Sequence, residues 1–121
     1  MISKRIAIVD DEEDLVEVYL MVVAKLGHQM EFVAHDGDEI VQAVMDERIH
    51  HDLILMDYRM PTMNGMQAAE QILQVKPDVK IIIATADDLV RRDTDAAGLL
   101  FIQKPFSIRA LAKIIDEALG S

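Results

Sequence analysis

Apolar residues fall along this chain in two alternating patterns: short runs of neighbours, and longer stretches in which they recur every three or four positions. Four runs are continuous: Ile6-Ala7-Ile8-Val9, Leu53-Ile54-Leu55-Met56, Ile81-Ile82-Ile83-Ala84 and Leu99-Leu100-Phe101-Ile102. A fifth, Met30 to Ala34, is interrupted once by Glu31. Runs of this length without polar alternation are expected of strands buried on both faces, and strands that alternate with helices predict a parallel sheet covered on both sides.

The intervening stretches read as helices. Leu15, Val18, Tyr19, Val22, Val23 and Leu26 keep helical spacing, and Gly27 stops the first helix. Asp36-Gly37-Asp38 supplies a turn and a helix start ahead of Ile40, Val41 and Val44, and this second helix is expected to end near Arg48. After a loop holding Pro61 and Gly65, the residues Met66, Ala69, Ile72 and Leu73 form the apolar face of a third helix, which Pro77 closes. The fourth helical stretch is the poorest, with only Leu89, Val90, Ala96 and Ala97 to bury. Ser107 is a good N-cap for the fifth, in which Leu111, Ile114, Ile115 and Ala118 repeat with helical period up to Gly120. The alternation fills residues 1–121 as one domain, without repeat or linker.

Charge narrows the partners. A formal net charge of −10 opposes direct binding to nucleic acid or to an anionic membrane surface and favours a cation or a basic protein patch. The apolar run after the basic start Lys4-Arg5 ends at Asp10, too early for a secretory signal, so a cytoplasmic location is expected. With no cysteine, thiol chemistry is unavailable.

The candidate chemistry lies where the apolar runs end. Asp10 and Asp11, Asp57, Thr85 and Lys104 each follow a predicted strand, and strand C-termini are where open α/β sheets build their sites. Two carboxylates about 5 Å apart repel by roughly 3 kcal/mol at an effective dielectric near 20, so three on one rim imply a cation. Oxygen donors without histidine or cysteine suit a hard ion, and an incomplete protein shell that leaves room for water and phosphate suits Mg²⁺. One carboxylate could then attack phosphorus, with Lys104 and Thr85 offering charge and a hydroxyl to the phosphoryl oxygens.

Taken singly, each residue also has a plainer reading. Asp10 and Asp11 could cap the first helix, Asp57 could end a strand, and Thr85 or Lys104 could be solvated rim residues. Met56, Met60, Met63 and Met66 read as packing, and His50-His51 as surface histidines that point apart. Arg91-Arg92 and the acids from Asp87 to Asp95 read as a solvated face.

As a set, Val9-Asp10-Asp11-Glu12, Asp57-Tyr58-Arg59-Met60-Pro61 with Gly65 downstream, Thr85-Ala86 and Lys104-Pro105-Phe106 resemble the receiver domain of two-component response regulators over nearly the full chain. The resemblance implies a flavodoxin-like, doubly wound sheet in the order 2-1-3-4-5, a strand order known for this fold and not read from this sequence. It further implies that Asp57 accepts a phosphoryl group from the histidine of a sensor kinase or phosphotransfer protein. Mg²⁺ would be held by Asp11, Asp57 and the Arg59 backbone carbonyl, with Asp10 assisting through water. Lys104 would pair with the phosphoryl group, and Thr85 and Phe101 would form a switch that changes binding to a downstream protein or output domain. Such a domain is a phosphoacceptor with at most self-phosphorylation and self-dephosphorylation, not an enzyme in the usual sense.

Against the resembled family, the stretch from Thr85 to Lys104 is shorter by about one helical turn. Ala97-Gly98 reverses the usual order there, and Leu99-Leu100 is expected either to be buried or to form a docking patch. Two other functions fit less well. A small Mg²⁺-dependent phosphatase with an aspartyl-phosphate intermediate would usually carry an acid where Arg59 stands. A constitutive adaptor of the same fold would have no need of the complete acceptor set.

Overall fold

The computed structural model describes residues 2–47 and 50–120. Five strands alternate with five helices: β1 Arg5–Val9, α1 Glu13–Lys25, β2 Gln29–Ala34, α2 Gly37–Met45, β3 Leu53–Asp57, α3 Gly65–Val75, β4 Lys80–Thr85, α4 Val90–Ala96, β5 Leu100–Gln103 and α5 Ile108–Leu119. All pairings are parallel and the strand order is β2-β1-β3-β4-β5, the flavodoxin-like arrangement implied by the motifs.

Because side chains alternate along a strand, each continuous apolar run feeds two cores. Ile6, Ile8, Leu53, Leu55, Ile82 and Ala84 pack with Tyr19, Val23, Leu111 and Ile115 of α1 and α5. Ala7, Val9, Ile54, Met56, Ile81 and Ile83 pack on the other face with Ile40, Val44, Ala68 and Ile72 of α2 and α3. The apolar runs are therefore unbroken because neither face of the central strands meets water.

Several local signals act as the sequence suggests. Gly27 takes φ 85° just beyond α1, and Gly120 takes φ 70° as the C-cap of α5, both conformations that favour glycine. Ser107 accepts from the Ala110 N–H at 3.0 Å. α2 ends at Met45, with Asp46 as its C-cap; the Arg48 expected to mark that end lies outside the described residues.

Three readings change. The first-helix cap is Glu12 and makes no side-chain cap bond, so neither Asp10 nor Asp11 serves as that cap. His51 is no surface histidine: both ring nitrogens are buried and have no hydrogen-bond partner among the described residues, and the ring lies 6.2 Å from that of Phe32. Burial, aided by the Arg5 and His50 charges, pulls its pKa down to about 4. Leu99 is buried and Leu100 packs against the α1/α5 core, so the pair supplies packing and no exposed patch.

Candidate phosphoryl-acceptor site

The ladders of the sheet run one residue past the strands and thereby fix the rim. The Asp10 N–H donates to Ala34 O at 3.0 Å, the Tyr58 N–H to Ala84 O at 3.0 Å, and the Lys104 N–H to Thr85 O at 2.9 Å. These bonds bring Asp10 (after β1), Asp57 (last in β3), Thr85 (last in β4) and Lys104 (after β5) to one end of the sheet.

Asp10 is fully buried and Asp57 nearly so, whereas Asp11 is exposed. One carboxylate oxygen from each lies within 4.8 Å of the others. Lys104 is their counter-charge: its Nζ stands 3.2 Å from Asp10 Oδ2, 3.3 Å from Asp57 Oδ1 and 3.6 Å from Glu12 Oε1. Asp10 also accepts the Glu12 backbone N–H at 2.9 Å.

One ammonium does not compensate this cluster. Burial raises the Asp10 carboxyl above its ordinary value despite the Glu12 N–H and Lys104. Burial and then the Asp10 charge raise Asp57, again against Lys104. Burial alone would depress the Lys104 ammonium, but the Asp10 and Asp57 charges outweigh it and hold it above its usual value. Excess negative charge in a set of oxygen donors, two buried and one open to water, is a fit for a hard divalent cation.

The Thr85 side chain is buried, and its Oγ1 accepts the Asp87 N–H at 3.2 Å. Phe101 is half-buried against the α2/α3 core, with the Arg91 guanidinium 4.8 Å from its ring centroid. Arg91 is thus more than part of a solvated face. The Arg59 side chain is 75% exposed and reaches Asp87 at 3.6 Å. Met56 is buried and Met60, Met63 and Met66 pack beside it, so the methionines are core and not a soft-metal cluster.

Gly65 is required where it stands: its N–H donates to Tyr58 O at 2.8 Å, and a Cβ would come within 2.6 Å of Asp57 O. Two features of this loop went unread in the sequence. Asn64 and Gln67 form a reciprocal capping box at the start of α3, a variant of a known four-residue signature. The Asp36 carboxylate accepts from the loop backbone at Thr62 and Met63, for which a local turn motif gives no signal.

The family model for the response regulator receiver domain matches residues 6–116. The chain is 31% identical to the chemotaxis protein CheY of Thermotoga maritima over 118 residues, covering 95% of this chain and 97% of that protein. It is also 31% identical to the transcriptional regulatory protein PdtaR of Mycobacterium tuberculosis, of which it spans 58%. Among solved structures, the receiver domain of sensor histidine kinase PA1611 from Pseudomonas aeruginosa superposes with a TM-score of 0.83 at 31% identity. The likeness covers 99% of this chain and 100% of that one, which holds a magnesium ion in its active-site cleft. Since the match runs through every strand of the sheet and not through the rim residues alone, this chain belongs to the response regulator receiver domain family.

Proposed function

We propose that this receiver domain is a phosphorylation-dependent signalling switch, in which Asp57 accepts a phosphoryl group from the histidine of a sensor kinase or phosphotransfer protein. The observation that carries this reading is the Lys104 ammonium held between the buried Asp10 and Asp57 carboxylates, with Asp11 at the open side.

Asp57 is the acceptor in this scheme. One of its carboxylate oxygens forms the new P–O bond as the P–N bond to the donor histidine breaks, and the leaving imidazole nitrogen keeps the electron pair. Burial raises Asp57, and the Lys104 charge opposes that rise and so favours the carboxylate form that attacks. Lys104 then turns its positive charge to the phosphoryl oxygens. Asp11, Asp57 and the Arg59 backbone carbonyl would hold Mg²⁺, with Asp10 acting through water. When bound, the ion neutralises charge on the transferring phosphoryl oxygens.

Thr85 ends the strand next to β3, one residue past the partner of Asp57, and its hydroxyl would leave the Asp87 N–H and turn to the phosphoryl group. Phe101 lies on the neighbouring strand, paired with Ile83, and would repack inward as Thr85 moves. That movement changes the surface offered to a downstream protein or output domain. We read the domain as a phosphoacceptor and not a multiple-turnover enzyme: the position two residues after Asp57, where a phosphatase of this kind would usually carry its general acid, is the exposed Arg59. Cytoplasmic signalling agrees with the family, and no helix among the described residues is long and apolar enough to cross a membrane.

Acetyl phosphate or beryllofluoride with Mg²⁺ tests the scheme. We expect acetyl phosphate to add one phosphoryl group to the wild type by intact mass, and either reagent to shift the amide resonances of Thr85 and Phe101, with Asp57→Asn showing neither change. An unchanged wild-type spectrum rejects the proposal, and sustained turnover of a phosphomonoester supports the phosphatase alternative.

A further inference from the structure

Asp36 does more than begin a helix. Its Oδ1 accepts from the Gly37 N–H at 2.6 Å as the cap of α2. The same carboxylate also receives two backbone donors from the loop between β3 and α3: Thr62 N–H at 3.0 Å on Oδ2 and 3.3 Å on Oδ1, and Met63 N–H at 3.4 Å on Oδ1. Burial alone would raise this carboxyl, but the Thr62, Gly37 and Met63 donors outweigh it and hold it below the usual range.

The loop it grips is the one that leaves Asp57. At the α3 end, Gly65 closes the turn onto Tyr58 O, and Asn64 and Gln67 cap each other. Among the described residues, Asp36 is the only group that accepts hydrogen bonds from the backbone of residues 59–63. The Arg59 side chain gives no comparable anchor, being mostly exposed with one ion pair at 3.6 Å. Contact on the other side of the carboxylate is equally close: a Cβ on Gly37 would lie 2.8 Å from Met63 O. The start of α2 and the loop therefore meet backbone to backbone, with the Asp36 carboxylate bonded to both.

We infer that Asp36 is a positioning residue for the acceptor loop: by fixing the backbone at Thr62 and Met63 it sets where the Arg59 carbonyl lies, and through it the affinity of the rim for a divalent cation. The inference rests on the reading of the Asp57 rim as an Mg²⁺-dependent acceptor. Groups that orient a metal ligand without touching the metal commonly change affinity by about 10- to 100-fold when removed.

Asp36→Ser separates the two jobs of this side chain. Serine still caps a helix, but its hydroxyl is too short to span to Thr62 and Met63. The measurements are the Mg²⁺ dissociation constant, from titration of the Asp11 and Asp57 amide resonances, and hydrogen exchange of the Thr62 and Met63 amides in metal-free protein. We expect Asp36→Ser to weaken Mg²⁺ binding about tenfold and to speed exchange at those two amides. Its unfolding midpoint should fall with the loss of the Thr62 and Met63 bonds while the protein stays folded, and phosphorylation should recover at saturating Mg²⁺. Asp36→Asn, which keeps the size and one acceptor oxygen, should fall between the two proteins and serves if the serine variant does not fold. Ile115→Val, a core change on the other face of the sheet, should lower the midpoint and leave Mg²⁺ affinity unchanged.

Wild-type Mg²⁺ affinity in a folded Asp36→Ser or Asp36→Asn protein overturns the role of Asp36 alone. A wild type whose Asp11 and Asp57 resonances do not respond to Mg²⁺ overturns the functional reading and this inference together.

Discussion

Asp57 is held from several directions at once, by Lys104, by the ladder bond at Tyr58, and by a loop fastened at Gly65 and at Asp36. α4, which follows Thr85 on the same rim, is seven residues long, has Leu89 as an N-cap that makes no side-chain cap bond, and buries only Val90 and Thr94. Helices this short do not stand on propensity, so α4 depends on a few contacts: Thr94 Oγ1 donating to Arg91 O at 2.9 Å, the Leu99 N–H reaching Thr94 O at 2.8 Å, and Arg91 over Phe101. The difference teaches where this fold spends rigidity. The region that must hold opposed charges at fixed distances is tied many times over, and α4, which follows Thr85 of the proposed switch, is tied lightly.

The largest test of that contrast removes the charge partner of the rigid half. Lys104→Ala leaves two buried carboxylates facing each other and should cost about 3 kcal/mol of stability at neutral pH without Mg²⁺. Urea denaturation checks this, and the loss should shrink as acid protonates Asp10 and Asp57. A stability equal to wild type would mean that the rim is better solvated than its burial indicates.

Acidity separates the rim from the opposite end of the sheet. Asp10 and Asp57 have raised folded pKa values, so the native state binds more protons than the unfolded chain, and their contribution to stability falls as pH rises above the ordinary carboxylate range. His51 acts in the other sense. With its pKa lowered from 6.5 to about 4, the unfolded chain binds more protons between those values, and acidification through them should cost at most about 3 kcal/mol. Denaturation midpoints between pH 4 and 7 should therefore rise on acidification in a His51→Leu variant and fall more steeply than wild type in Asp57→Asn.

The smallest effect belongs to the loosely tied half. Arg91→Ala should cost about 0.5–1 kcal/mol, mostly through the lost cation–π contact. Hydrogen exchange should show α4 amides opening well before those of α3, and faster still in the variant. Protection of α4 equal to that of α3 would break the comparison.

The sequence was most legible where a single local pattern decides the outcome. Unbroken apolar runs identified strands because both faces of the sheet are covered, and Gly27, Ser107 and Gly120 marked helix ends by local backbone chemistry. The weakness of α4 was equally readable, from its few apolar residues. What escaped depends on partners distant in sequence. Asp36 looks like any helix-starting aspartate until the fold brings Thr62 and Met63 to it, 26 and 27 residues away. His51 looks like a polar residue before a strand until packing buries its ring beside Phe32. Asn64-x-x-Gln67 was the one miss that local spacing alone could have found.

Lys104 is attached to the rim twice, through its ammonium to the two buried acids and through its own N–H to the carbonyl of Thr85. The backbone of the residue whose ammonium meets the two acids is therefore bonded to the same residue that carries the Thr85 hydroxyl. Counter-ion and proposed trigger are thus joined by one short linkage on the β4–β5 seam, a ladder bond of 2.9 Å between the residue that balances the acids and the residue that carries the hydroxyl.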